Sequence, residues 1–171
     1  MILHFLGDSV YSDKFIQYVN EKFNSQNEHK FIIVSGTDIK YIKQKQNVDI
    51  RQTSSIFDSL KILVAILKTE KPSKIFVHFL SDVYLFPVLL ANKNIKCYWV
   101  VWGGDIYSYV NWKLYDDETL SYIPYRKNKK NIKQKILKNL RNKAIKKVDY
   151  IAINETEFNI IKQYYKTKAQ R

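Results

Sequence analysis

The chain has 171 residues, 46% apolar and 26% charged, with four glycines and three prolines. That composition excludes a disordered tail, a fibre and a low-complexity chain, and the length suits one domain that folds without staples. The lone Cys97 excludes a disulfide framework and a Cys-rich zinc site, and His4, His29 and His78 lack the close spacing of a metal motif. The net charge of +13 is the figure that departs from ordinary usage.

In chain order, short apolar runs alternate with helical periods. Ile2–Leu6 predicts a first strand, and Ser12 to Phe23 a helix with Phe15, Val19 and Phe23 on one face. Phe31–Val34 predicts a second strand, and Val48–Ile50 a short third. Ser54 or Ser55 can cap the next helix, which stops before Pro72. Ile75–Phe79 reads as a strand. A helix follows to about Asn92, with Pro87 in its first turn or at a kink. Cys97–Trp102 is the most apolar strand. Ile106–Tyr115 reads as helical, then comes a basic helix. Tyr150–Ile153 is a last strand and Thr156–Tyr165 a last helix.

This alternation predicts an α/β fold: a Rossmann-like open parallel sheet with helices on both faces, in one domain over residues 1–171. Val34 and Ile75–Val77 are expected to be buried on both sides. MILHFLGDSV lacks a basic leader, and no stretch of 18 uncharged apolar residues occurs, so a cytoplasmic protein is expected.

The charge is concentrated. Residues 126–147 hold 11 Lys or Arg and no Asp or Glu, which leaves 18 basic against 16 acidic residues elsewhere. Ile132, Ile136, Leu140 and Ala144 recur every four residues, with Leu137, Ile145 and Val148 beside them. Such a helix serves as a solvated surface, as a binder of anionic lipid through Lys129, Lys130, Lys133, Lys135, Lys138 and Arg141, or as a nucleic-acid surface.

Gly7, Gly36, Gly103 and Gly104 each follow an apolar strand. In an open α/β sheet, ligands bind at the carboxyl ends of the strands, so that edge is the expected site. Asp105 is there a candidate acid–base or sugar-binding carboxylate, or a helix cap. His78 is a candidate base or phosphate donor, or a core-edge histidine bonded to a carbonyl. Asp8 suits a cap of the first helix, Asn154 can face the same crevice, and Cys97 reads as an inert small hydrophobe. No G-x-G-x-x-G, P-loop or G-x-S-x-G occurs, which disfavours dinucleotide enzymes, ATPases and α/β-hydrolases.

Three stretches, Ile2-Leu3-His4-Phe5-Leu6-Gly7, Phe76-Val77-His78-Phe79 and Trp99-Val100-Val101-Trp102-Gly103-Gly104-Asp105-Ile106-Tyr107, resemble the bacterial TDP-N-acetylfucosamine:lipid II N-acetylfucosaminyltransferases, glycosyltransferase family 56. The resemblance runs from residue 2 to about 165. It implies a two-domain GT-B transferase at the inner face of the plasma membrane, acting in cell-surface polysaccharide synthesis. Such an enzyme needs no cofactor. It passes a sugar from a nucleotide-sugar donor, here a TDP-sugar, to a polyprenyl-diphosphate-linked saccharide. By the match, His78 and Asp105 would be catalytic. Gly103, Gly104 and Tyr107 would line the cleft with them and bind substrate, and the basic helix would hold anionic lipid; Gly7, Asp8, Trp102 and Asn154, at the same strand ends, are further substrate-binding candidates. The family's chains run to about twice this length, as two domains require. This chain is therefore expected to be the acceptor-side half, inactive without a nucleotide-sugar domain.

Overall fold

A computed structural model describes residues 1–23, 28–107, 118 and 132–171. Six parallel strands form one sheet: β1 (Ile2–Phe5), β2 (His29–Ser35), β3 (Val48–Gln52), β4 (Lys74–His78), β5 (Lys96–Val100) and β6 (Tyr150–Ala152). Their order is β3-β2-β1-β4-β5-β6. The helices are α1 (Val10–Lys22), α2 (Ile56–Glu70), α3 (Leu85–Leu90), α4 (Gly104–Tyr107), α5 (Ile132–Lys147) and α6 (Glu155–Tyr165). This is the Rossmann-like α/β fold that the alternation predicts. The part of the expected Ile106–Tyr115 helix beyond Tyr107 lies outside the described residues.

Successive strand residues point to opposite faces, and the two faces are covered differently. Leu3, Phe5, Ile32, Ile75, Val77, Cys97, Trp99 and Ile151 pack beneath α2, α3, α5 and α6 in the larger core. Leu6, Phe31 and Ile33 meet Ile16 and Val19 of α1 in a smaller one. Ser55 caps α2 through Asp58 N–H, and Pro87 sits in the first turn of α3, where its missing N–H removes no helical bond. Phe23, expected on the inner face of α1, is exposed, because Ser12, Ile16 and Val19 make that face.

Two expectations about burial are corrected. Val34 and Phe76 are half-buried, not enclosed on both sides. On the α1 face, the pairing puts Val48, Phe31, His4, Phe76, Tyr98 and Tyr150 at one level across all six strands. From Phe31 on, these rings stack at centroid separations of 4.4–5.1 Å. The aromatic row supplies cross-strand packing on β4–β6.

Candidate functional site

The carboxyl edge is organised by Asp105. Its side chain is 1% exposed. Oδ2 accepts from the Trp99 indole N–H at 2.7 Å and from Leu80 N–H at 3.0 Å; Oδ1 accepts from Trp102 N–H at 3.1 Å. The carboxylate thus ties the loop after β4 to the loop after β5. It does not cap α4, since none of these three donors belongs to that helix. A carboxylate engaged by three N–H donors, two of them in buried bonds, holds the loops and is poorly placed to accept a substrate proton. Its geometry is that of a positioning residue.

The loops it joins are conformationally demanding. Phe79 has φ +65°, in the left-handed region that side chains disfavour, and this turns Leu80 N–H toward Asp105. Gly103 has φ +81°, and its carbonyl accepts from Ile106 and Tyr107 N–H, starting α4. Gly104 lies under the Phe79 ring, which a Cβ would meet at 3.4 Å. Gly7 faces open space at the end of β1.

His78 ends β4 and is 3% exposed, between Phe15 at 4.5 Å and Trp102 at 6.5 Å. Its Nε2 lies 3.2 Å from Nδ1 of His4, so its partner is a second histidine and not a backbone carbonyl. Burial pushes the His78 imidazole down to about 4, and pushes His4, which also faces two other imidazoles, further down. Both rings are neutral at physiological pH. Over this pair, Tyr11 of α1 meets Trp102 edge-on at 6.1 Å; both are exposed, Tyr11 by 76%. Tyr11 escaped the sequence reading because a tyrosine in the first turn of a helix carries no signal of its own.

The remaining candidates divide. Asp8 is not the cap of α1; Ser9 is, through Ser12 N–H. The Asp8 carboxylate instead accepts from the backbone N–H groups of Lys40, Tyr41 and Ile42 at 2.7–3.1 Å, fastening the β2–β3 connection to the end of β1. Asn154 caps α6 through Glu157 N–H at 3.0 Å. The Glu157 carboxylate also accepts from Asn154 Nδ2 and from the Tyr107 hydroxyl. The structure therefore brings Tyr107, Asn154 and Glu157 together, and His78, Trp102 and Tyr11 together, and takes Asp8 into a structural role. Glu157 is legible as the closing residue of an N-x-x-E capping box, three positions after Asn154. Cys97 is buried, and burial raises its thiol to about 11, as an inert hydrophobe requires.

The stripe on α5 splits in two. Ala144 and Ile145, with Val148 just beyond the helix, enter the core, whereas Ile132 is 77% and Ile136 54% exposed. Lys135 and Lys138 are exposed beside them. Arg141, expected on the lipid-facing side, is instead 2% exposed, with a guanidinium N–H donating to Asp82 at 3.3 Å. Lys129, Lys130 and the side chain of Lys133 lie outside the described residues. No helix among the described residues is long and apolar enough to cross a membrane. Among those residues, no group of three or more His, Cys, Asp or Glu side chains is placed to hold a metal ion. No family model and no curated protein matches the chain.

Proposed function

We propose that this chain is the acceptor-side domain of a GT-B-type glycosyltransferase. It receives a lipid-linked saccharide at the carboxyl edge while resting on an anionic membrane at the inner face. The observation that carries the reading is the carboxyl edge itself: the exposed Trp102 ring stands edge-on to the neutral His78, and the exposed Tyr11 ring packs against Trp102. Aromatic faces suit the apolar faces of sugar rings, and a neutral imidazole can accept a hydroxyl proton. The start of α5 supports the membrane contact. A helix joining parallel β5 to β6 begins on the carboxyl side of the sheet, and there Ile132 and Ile136 are exposed next to Lys135 and Lys138. The donor, a nucleotide sugar, belongs to a second domain, so this half does not turn over alone.

Co-sedimentation with vesicles tests both parts. Binding to vesicles containing anionic phospholipid is expected to exceed binding to neutral vesicles, and to weaken with salt and in Lys135→Gln/Lys138→Gln. Adding a polyprenyl-diphosphate-linked saccharide to the vesicles is expected to strengthen binding, and Trp102→Ala to remove that gain. Equal binding to both vesicle types with no response to the saccharide would overturn the reading. Salt-dependent binding to duplex DNA or RNA in its place would mark the chain as a nucleic-acid module.

A further inference from the structure

All three histidines of the chain form one hydrogen-bonded string. His78 Nε2 lies 3.2 Å from His4 Nδ1, and His4 Nε2 lies 2.8 Å from His29 Nδ1. The string runs obliquely along one face of the sheet. His29 opens β2 at the amino edge, His4 lies within β1, and His78 closes β4 at the carboxyl edge. Its middle is sealed by the Phe15, Phe31 and Phe76 rings. Its two ends are different. His78 stands beneath the exposed Trp102. His29 is half-exposed and lines an open hollow of about 690 Å³ at the amino edge, with Met1, Lys30, Asn47, Asp49 and Glu70.

We infer that this string is a proton relay that connects His78 at the carboxyl edge to solvent in the hollow at the amino edge. Each junction joins one ring nitrogen to another, so one must donate and the other accept. With both junctions kept, the neutral string has two states: every ring carries Nε2–H, or every ring carries Nδ1–H. A proton arriving at His78 Nδ1 converts the first state to the second. The His78 Nε2 proton passes to His4 Nδ1, the His4 Nε2 proton passes to His29 Nδ1, and His29 releases its Nε2 proton to water. One proton enters and one leaves, and no ring keeps a charge; the string returns to the first state when His29 Nε2 takes a proton from water and His78 gives up its Nδ1 proton at the carboxyl edge.

The same geometry admits one excess proton. If His29 is protonated from solvent, its Nδ1–H must donate to His4, and His78 is left as the Nδ1–H form. A second excess proton would leave two donors facing each other and break a junction. The groups that bias the entry end are Glu28, which favours the charged His29, and Lys74 and the amino terminus, which oppose it. The Phe23 ring also packs on His29. Among the described residues His4 faces the other two imidazoles and aromatic rings, and His78 faces Phe15 and Trp102. The use of the relay, to clear the proton that His78 takes from an acceptor hydroxyl, rests on the transferase reading.

Ring-nitrogen NMR on the 171-residue chain labelled with ¹⁵N-histidine tests the relay with no substrate present. At pH 8 His78 is expected in the Nε2–H form. As His29 takes up its proton, His4 and His78 are expected to switch to Nδ1–H at the same midpoint. Lys74→Gln, an exposed change, is expected to move the His29 midpoint upward and the His78 switch with it by the same amount. His29→Gln is expected to abolish the switch. A His78 ring that is Nδ1–H already at pH 8 has no bare Nδ1 to receive a proton; that result, or a ring that ignores the Lys74→Gln shift, would overturn the relay. A string that switches as described in a protein that ignores lipid-linked saccharide would sink the transferase reading alone.

Discussion

The indole N–H of Trp99 donates to the Asp105 carboxylate at 2.7 Å, from a residue of β5 that is itself wholly buried. Because Leu80 and Trp102 donate to the same carboxylate, the substitution Asp105→Asn leaves three N–H groups facing one remaining oxygen and an amide nitrogen. An orphaned buried donor costs about 1–3 kcal/mol, so a loss of about 3 kcal/mol is expected in urea unfolding. Trp99→Phe removes one donor and is expected to cost less. Made in the Asn variant, it is expected to cost less again, since the bond it breaks is already impaired. Equal costs in both backgrounds would contradict the coupling. Lost activity in an Asp105 variant therefore has to be read beside its stability.

The left-handed Phe79 reverses an ordinary ranking. In most loop positions alanine is the more stable choice over glycine, because it narrows the unfolded ensemble. At φ +65° a Cβ is strained by about 1 kcal/mol, and glycine is not. Both Phe79→Ala and Phe79→Gly lose the ring packed on Gly104, so their comparison isolates the backbone. Phe79→Gly is expected to be the more stable by about 1 kcal/mol in thermal or urea unfolding. Phe79→Ala coming out ahead would show that the turn relaxes without its phenylalanine.

Most of the fold was legible because periodicity reports burial, and parallel strands with helical crossovers leave a strong mark. The side-chain partnerships were less so, since they join residues far apart in sequence. Nothing near His4 announces that β1 lies between β2 and β4, which is the condition for its contacts with His29 and His78. Asp105 lies at the carboxyl edge as expected, but its three donors come from strand β5 and from two loops that only the folded sheet brings together. The same limit applied to Asp8, whose partners lie 32 to 34 residues onward. On α5 the four-residue repeat continued past the point where the core ends, so the sequence could not separate buried Ala144 from exposed Ile136.

Lys138 and Arg141 lie three residues apart on α5 and are expected to respond oppositely to neutralisation. Lys138 is exposed, and its substitution by Gln should leave stability within about 0.5 kcal/mol while weakening binding to anionic vesicles. Arg141 is buried against the partly exposed Asp82, and Arg141→Gln should cost about 2–3 kcal/mol. Its vesicle binding, measured below the unfolding transition, should match the unaltered protein. Vesicle binding that falls equally in both variants would place Arg141 on the lipid surface after all.

The buried histidines make the fold acid-sensitive in a defined window. Above pH 6.5 His4 and His78 are neutral whether the chain is folded or not, and they contribute no pH dependence. Unfolded, each takes up a proton near pH 6.5, whereas the folded chain holds His78 neutral until about pH 4 and His4 to lower pH still. Between those limits the unfolded state binds more protons, so stability falls as pH falls. The slope approaches about 1.4 kcal/mol per pH unit for each ring. From pH 6.5 to 4.5 the two rings together are expected to remove roughly 5 kcal/mol, read as a fall in the urea midpoint. Replacing one of them, as in His78→Leu, should take one proton out of that slope whatever it does to stability at pH 7. A urea midpoint that stays level from pH 7 to 4.5 would mean that water reaches these rings and that the string between the two edges of the sheet is open to solvent along its length.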